Sequence, residues 1–187
     1  CWRMKPGILV YQTLLWDELD WAKIFKPWWG NKYVFQTGVY WVPFTNPKYP
    51  DFRVEWTASR PWVYTHYDSL ITYTSADIGI GFPEGPNSQL LYVETNWWMS
   101  PQSLWRISYR HLVKGSGHGS NPTHNYNDRD NSLDENTPSL LGETTASNQI
   151  ELRGTYRLSL MLEGFANISY HDQTKQITSQ IRFVFNW

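Results

Sequence analysis

From Ile177 to Trp187 apolar and polar residues alternate. Ile177, Ile181, Phe183, Phe185 and Trp187 share one face, broken only by Ser179, while Thr178, Gln180, Arg182 and Asn186 share the other, broken only by Val184. A period of two predicts a β-strand with one apolar and one polar face. Seven other segments read the same way. Residues 7–15 carry Ile8, Val10 and Leu14 on one side. Residues 32–42 put Tyr33, Phe35, Val39 and Trp41 opposite Gln36 and Gly38. Residues 51–59 set Phe52, Val54, Trp56 and Ala58 against Arg53, Glu55, Thr57 and Ser59. Residues 90–98, 103–112, 149–158 and 160–170 continue the pattern, for instance Trp105, Ile107 and Tyr109 against Arg106, Ser108 and Arg110.

The connections sort by length. Residues 16–31, 60–89 and 113–148 are long, whereas 43–50, 99–102 and 159 are short, so long and short alternate and the last strand ends on the short-turn side. Residues 171–176 form a moderate turn. Antiparallel neighbours joined in sequence order predict one up-and-down sheet over residues 1–187.

Composition decides which solvent the apolar face meets. The chain has 187 residues with 12 Trp and 12 Tyr, yet its mean hydropathy is −0.54. A soluble sandwich buries aliphatics and seldom needs so many Trp. A transmembrane barrel places Trp and Tyr at both membrane interfaces and keeps its lumen polar. No apolar run is long enough for a transmembrane helix. A chain ending on an amphipathic strand with a terminal aromatic resembles bacterial outer-membrane barrels. That resemblance implies an all-β, transmembrane, antiparallel up-and-down barrel of about eight strands. It also implies contact with outer-membrane lipid and a periplasmic C-terminus. The net charge of −1 shows no nucleic-acid footprint. The lone Cys1 excludes an internal disulfide framework. It reads either as a lipidated lipoprotein start or, in view of the untethered Trp2-Arg3-Met4-Lys5, as an arbitrary beginning.

The polar face carries both signs of charge: Arg53, Glu55, Glu94, Arg106, Arg110, Glu151, Arg153, Arg157, Glu163 and Arg182. A salt-bridge ladder filling a narrow lumen is one reading, and an aqueous pore is the other. Eight strands enclose an interior only just wide enough for side chains.

Residues 60–89 are dense in aromatics and hydroxyls. Tyr64, His66, Tyr67 and Tyr73, with Asn87 near the next strand, are candidate contacts for a sugar ring, which offers an apolar face and a polar rim. Gly79, Gly81, Gly85, Pro83 and Pro86 predict a shaped loop. The competing reading is a loop that plugs the barrel mouth.

The segment RVEWTASRPWVYTHYD, then ITYTS, then GFPEGPNSQLLYVE, resembles the Wzi-type capsule-assembly family of outer-membrane proteins. ILVYQTLLWDELDW and NKYVFQTGVYW match the hairpin before it, so the similarity covers roughly residues 7–113. SADIGIGFPEG departs from the family's histidine- and glycine-rich stretch, and the chain is shorter than the family's barrels. The resemblance implies either the C-terminal part of such a barrel or a reduced relative. It further implies binding of a surface (capsular) polysaccharide without catalysis or cofactor. A structural or partner subunit of an outer-membrane complex, and a diffusion pore, are the alternatives.

Residues 115–147 are polar and rich in Gly, Ser and Asn, which predicts a mobile loop. Asp128, Asp130, Ser132 and Asp134 alternate like calcium-loop oxygens. However, Leu133 stands where an EF-hand needs Gly, and Ser139 where it needs Glu. His118 and His124 fit solvated loop histidines better than a metal site. A hydrolase would draw on Ser108, His111 and Glu94, but Ser108 and His111 are three apart on a strand and face opposite ways. The expectation is a protein without metal or catalytic residues.

Overall fold

The computed structural model describes residues 2–24, 26–43, 49–68, 72, 74–75, 78–79, 81–159 and 162–185. Cys1, Tyr73, Asn186 and Trp187 lie outside the described residues, as do residues 160–161, the start of the strand expected over 160–170; residue 159, expected as the turn, is the last of a strand.

All eight predicted strands form, several of them longer than the alternation suggests. They are β2 (Ile8–Glu18), β3 (Lys32–Trp41), β4 (Asp51–Ser59), β7 (Ser88–Ser100), β8 (Ser103–Gly115), β9 (Thr144–Ser159), β10 (Leu162–His171) and β11 (Gln176–Phe185). A further edge strand, β1 (Trp2–Lys5), pairs with β2. The two short strands β5 (Thr74–Ser75) and β6 (Ile78–Gly79) make a separate ribbon. The main sheet has nine strands in the order β1-β2-β3-β4-β7-β8-β9-β10-β11, each antiparallel to its neighbour. Among the described residues β1 and β11 pair only with β2 and β10, so the sheet has two edges where the sequence predicts a closed barrel.

The faces are inverted relative to a soluble domain. The apolar face is exposed across the whole width: Leu14, Val54, Ile107, Ile150, Ile168 and Ile181 all lie open, Ile181 at 74%. Aromatics crowd the short-turn end of that face, with Trp41, Phe52, Trp97 and Trp105 exposed. The polar face is the sheltered one, with Glu55 and Glu94 each 7% exposed.

Two polar networks explain how charge is sheltered there. The Tyr11 hydroxyl donates to Glu55 Oε2 at 2.6 Å and accepts from Arg53 Nε at 3.0 Å, while Arg53 Nη2 reaches Glu55 at 2.6 Å. Tyr11 reaches across β3 because Gly38 leaves room: a Cβ at Gly38 would sit 2.4 Å from the Tyr11 ring. Next to it, the Tyr40 hydroxyl donates to Asp51, Asn96 bridges Asp51 and Glu94, and Arg106 Nε donates to Asn96 Oδ1 at 2.8 Å. Buried charges remain only when paired and hydrogen-bonded, and these are.

The apolar core is small and sits at the long-loop end. Val34, Val63 and Tyr64 are buried together, with Leu15 and Phe82 packed against them. The sheet therefore has no conventional interior along its length. Its best-buried side chains belong to the loops that cap one end.

Candidate functional site

Three long connections, residues 19–31, 60–87 and 116–143, converge at that end into a single cap. Trp29 N donates to the Asp134 carbonyl, Thr137 N to the Pro27 carbonyl, and Trp62 N to the Gly119 carbonyl. Arg60 ties the three together. Its guanidinium is inside the cap and donates to the carbonyls of Thr137, Pro138 and Trp28 at 3.1–3.3 Å. Burial pushes its pKa down from the usual arginine value. The carbonyl dipoles stand in for a counter-ion.

The loop 60–87 is held in unusual backbone. Trp62, Tyr64 and Asn87 have φ of 67°, 73° and 59°, a left-handed region that costs non-glycine residues. Each is over-determined by contacts. Tyr64 N donates to Asp17 Oδ2 at 2.8 Å, and its hydroxyl accepts from Phe82 N at 2.8 Å. Lys32, fully buried, donates to the Thr65 carbonyl at 2.9 Å and pairs with Glu18 at 2.7 Å. Asn87 bonds Leu141 through both ends of its amide.

The residues predicted to meet a sugar thus divide. Tyr64 and Asn87 are buried, at 2% and 0% exposure, with their polar atoms committed to the cap. His66 is half-buried against Asp17 at 3.1 Å, and Tyr67 is 78% exposed. Tyr73 lies outside the described residues.

A different set lines the hollow the cap leaves open. A pocket of about 250 Å³ is bounded by Trp29, Trp62, His118, Arg129, Asp130 and Leu133, among others. Arg129 stacks its guanidinium 3.9 Å from the Trp29 ring and grips Asp134 with two bonds of 2.9 and 3.0 Å. His118 and His124 stack with centroids 4.4 Å apart, and Trp62 meets His118 edge-on at 5.2 Å. Gly119 makes this possible, since a Cβ there would lie 2.6 Å from the Trp62 indole. His124 Nδ1 accepts from Gly119 N at 2.9 Å. Burial first, and then the neighbouring His118, lower its pKa. Sequence reasoning misses this pocket because its members come from three segments; the aromatic pair Trp28-Trp29 and the Arg60-Pro61-Trp62 run are the signals it offers.

Residues 116–143, within the loop expected to be mobile, make defined contacts with the rest of the cap. Thr137 is 2% exposed, and the segment is pinned at Asn87, Arg60, Pro27 and Trp62. The calcium-like acids serve this packing. Asp134 is taken by Arg129, and the Asp130 carboxylate is held below its usual pKa by hydrogen bonds from Ser132. Among the described residues no cluster of three His, Cys, Asp or Glu could hold a metal. Ser108 and His111 lie on opposite faces of β8: Ser108 is buried on the polar side, whereas His111 Nδ1 contacts Asn148 Oδ1 at 2.8 Å on the other.

The charged set pairs almost completely. The ion pairs are Arg53–Glu55, Arg106–Glu94, Arg153–Glu151 and Arg157–Glu163, and Arg110 takes its partner, Glu84, from the loop. Arg182 has no ion pair among the described residues. No protein-family model, curated protein or solved structure matches this chain.

Proposed function

We propose that this chain forms the wall of an outer-membrane β-barrel and holds a surface polysaccharide on its loop cap. The observation that carries the membrane part is the inversion of the sheet. A wide face of Ile, Leu, Val, Trp and Tyr is open, and a charged face is sheltered and hydrogen-bonded. In water the open face would be a large aggregation-prone surface. In lipid it is the low-energy arrangement. The aromatic group at the short-turn end matches an interfacial girdle.

The polysaccharide part is supported by the cap pocket. The exposed His118 imidazole shares the lining with Arg129 and Asp130, an aromatic ring next to hydrogen-bonding groups, which suits a sugar ring. Tyr67, 78% exposed, and His66 belong to the loop that carries Trp62. The resemblance of residues 7–113 to the Wzi-type family points the same way.

A capsule pull-down with detergent-folded protein tests it, run beside a His118→Ala, Tyr67→Ala double variant. Retention of polysaccharide by the parent and about fivefold weaker retention by the variant is the expected result. Equal retention by both, or none by a parent that is heat-modifiable on gels, defeats the polysaccharide reading.

A further inference from the structure

The far end of the polar face holds a second feature, unlike the rest of that face. A cavity of about 510 Å³ spans β8 to β11 and is lined by Arg106, Arg153, Arg182, Asn167, Gln180 and Phe165, with Leu104, Thr155 and Val184 completing it. Three guanidinium groups and no carboxylate line it. Elsewhere on that face Arg53, Arg110 and Arg157 each stand against a glutamate.

The strand register brings this about. Arg106 and Arg153 are direct cross-strand partners, a like-charge pair that is unfavourable on its own. Their own acids, Glu94 and Glu151, pair with them from outside the cavity lining, so the excess positive charge there is that of Arg182. Asn167 sits between Arg153 and Gln180 in the same row. Its Oδ1 is buried and has no hydrogen-bond partner among the described residues, an acceptor whose desolvation is uncompensated. One row nearer the short turns, Arg182, Phe165, Thr155 and Leu104 lie side by side. Arg182, the arginine of the set without an ion pair, is thereby brought in beside an aromatic ring.

The geometry points to a binding groove for an acidic sugar unit, with Arg153 and Arg182 taking its carboxylate, Asn167 and Gln180 its hydroxyls, and Phe165 its apolar face. Guanidinium groups match a carboxylate as planar two-pronged donors. The unpaired Asn167 oxygen calls for a ligand that also donates; phosphate at neutral pH carries only one or two P–OH donors close to its charge, whereas a sugar sets several hydroxyls along the row at a distance from its carboxylate. The groove lies near the short-turn end, because Arg106 is the fourth residue of β8 after the turn at 101–102. It is therefore separate from the cap pocket. The assignment deepens the polysaccharide reading, resting on it for the polymer and adding that the polymer is acidic.

Calorimetry on the detergent-folded full chain tests this, with a hyaluronan hexasaccharide as the acidic probe, maltohexaose as the neutral one and sodium phosphate as the anion alone. Expected are binding of hyaluronan at least about tenfold tighter than maltohexaose, weakening with salt, and poor competition by phosphate. Arg182→Gln and Arg153→Gln should each weaken it about tenfold, and Arg182→Lys should recover part of the loss. His118→Ala with Tyr67→Ala should leave it unchanged, so loss of cap binding and loss of groove binding are separable. Arg182 is exposed on an edge strand, so its replacement leaves folding intact even where Arg153→Gln does not. Equal affinity for both oligosaccharides, undiminished binding by Arg182→Gln, or full competition by phosphate would each overturn the assignment.

Discussion

Asn87 and Leu141, 54 positions apart, exchange two hydrogen bonds: Leu141 N donates to Asn87 Oδ1 at 2.7 Å, and Asn87 Nδ2 donates to the Leu141 carbonyl at 2.9 Å. The pair mimics one rung of a β-ladder using a side-chain amide. It docks the 116–143 loop onto 60–87 where β7 begins. Asn also tolerates the left-handed backbone better than most residues. Asn87→Ala removes both bonds and keeps the strained φ, so the cap should lose roughly 2–4 kcal/mol. Asn87→Gly, which relieves the left-handed backbone, should lose less. Limited proteolysis of the 116–143 loop should rank the parent as slowest and Asn87→Ala as fastest. Equal rates would mean that the pair does not hold the cap.

Arg60 is the second clasp. Its three carbonyl partners have no other side chain reaching them in the hydrogen bonds described. Arg60→Met keeps the packing volume and removes the donors, at a cost of about 2–4 kcal/mol to the cap. Hydrogen exchange at Thr137 N, which bonds the Pro27 carbonyl, should quicken while amides in the middle of β8 and β9 stay protected. Uniform quickening throughout the sheet would show instead that Arg60 supports the whole wall.

The cap should loosen in mild acid. The folded pKa of His124 is lowered, so the folded state favours its neutral form. Its stabilising share is complete above the unfolded histidine value of about 6.5 and is lost as pH falls through the lower folded value. His124 Nδ1 must give up the bond from Gly119 N when it takes a proton. Fluorescence of Trp62, edge-on to the His118 that stacks on His124, should change between about pH 7 and about pH 5. In His124→Gln that change should shrink. An unaltered titration in the variant would place its origin elsewhere.

A charge on the open face separates lipid from water as its solvent. Ile107 is half exposed and lies mid-strand on β8. In a bilayer Ile107→Arg should cost about 2–4 kcal/mol. Thr178→Arg, on the polar face of β11, should cost little. Urea titration of folding into phosphatidylcholine vesicles measures both. Equal small effects would mean that the Ile107 face does not meet lipid.

The strands were legible because a half-buried sheet writes its period directly into the chain, whichever solvent covers the apolar side. Trp56, Ile107 and Ile181 fall on the face the alternation assigns to them. β1 escapes because four residues are too few to show a period. The cap escapes for a different reason. Tyr64 and Asn87 look like surface residues in a polar loop, and only partners far away in sequence, Phe82 and Leu141, make them interior. The same holds for the 116–143 segment, whose polar composition gives no sign of its contacts with Pro27, Arg60 and Trp62. The arginine groove was visible as residues and invisible as a site. Opposing Arg106 to Arg153 depends on the β8–β9 register, which alternation alone leaves free by any even number of positions.

The position of the cap also makes it an inspector of assembly. Its fasteners descend from separate walls: Asp17 from β2, Arg60 just after β4, Asn87 just before β7, and Gly115 at the end of β8, whose N–H meets the Asn87 carbonyl at 3.0 Å. A strand displaced by two residues would keep its apolar face outward and pass every test that solvent can apply. It would also carry its fastener about 7 Å along the strand, beyond reach of its mate. Closure of the lid is thus a proofreading step that the wall cannot perform for itself.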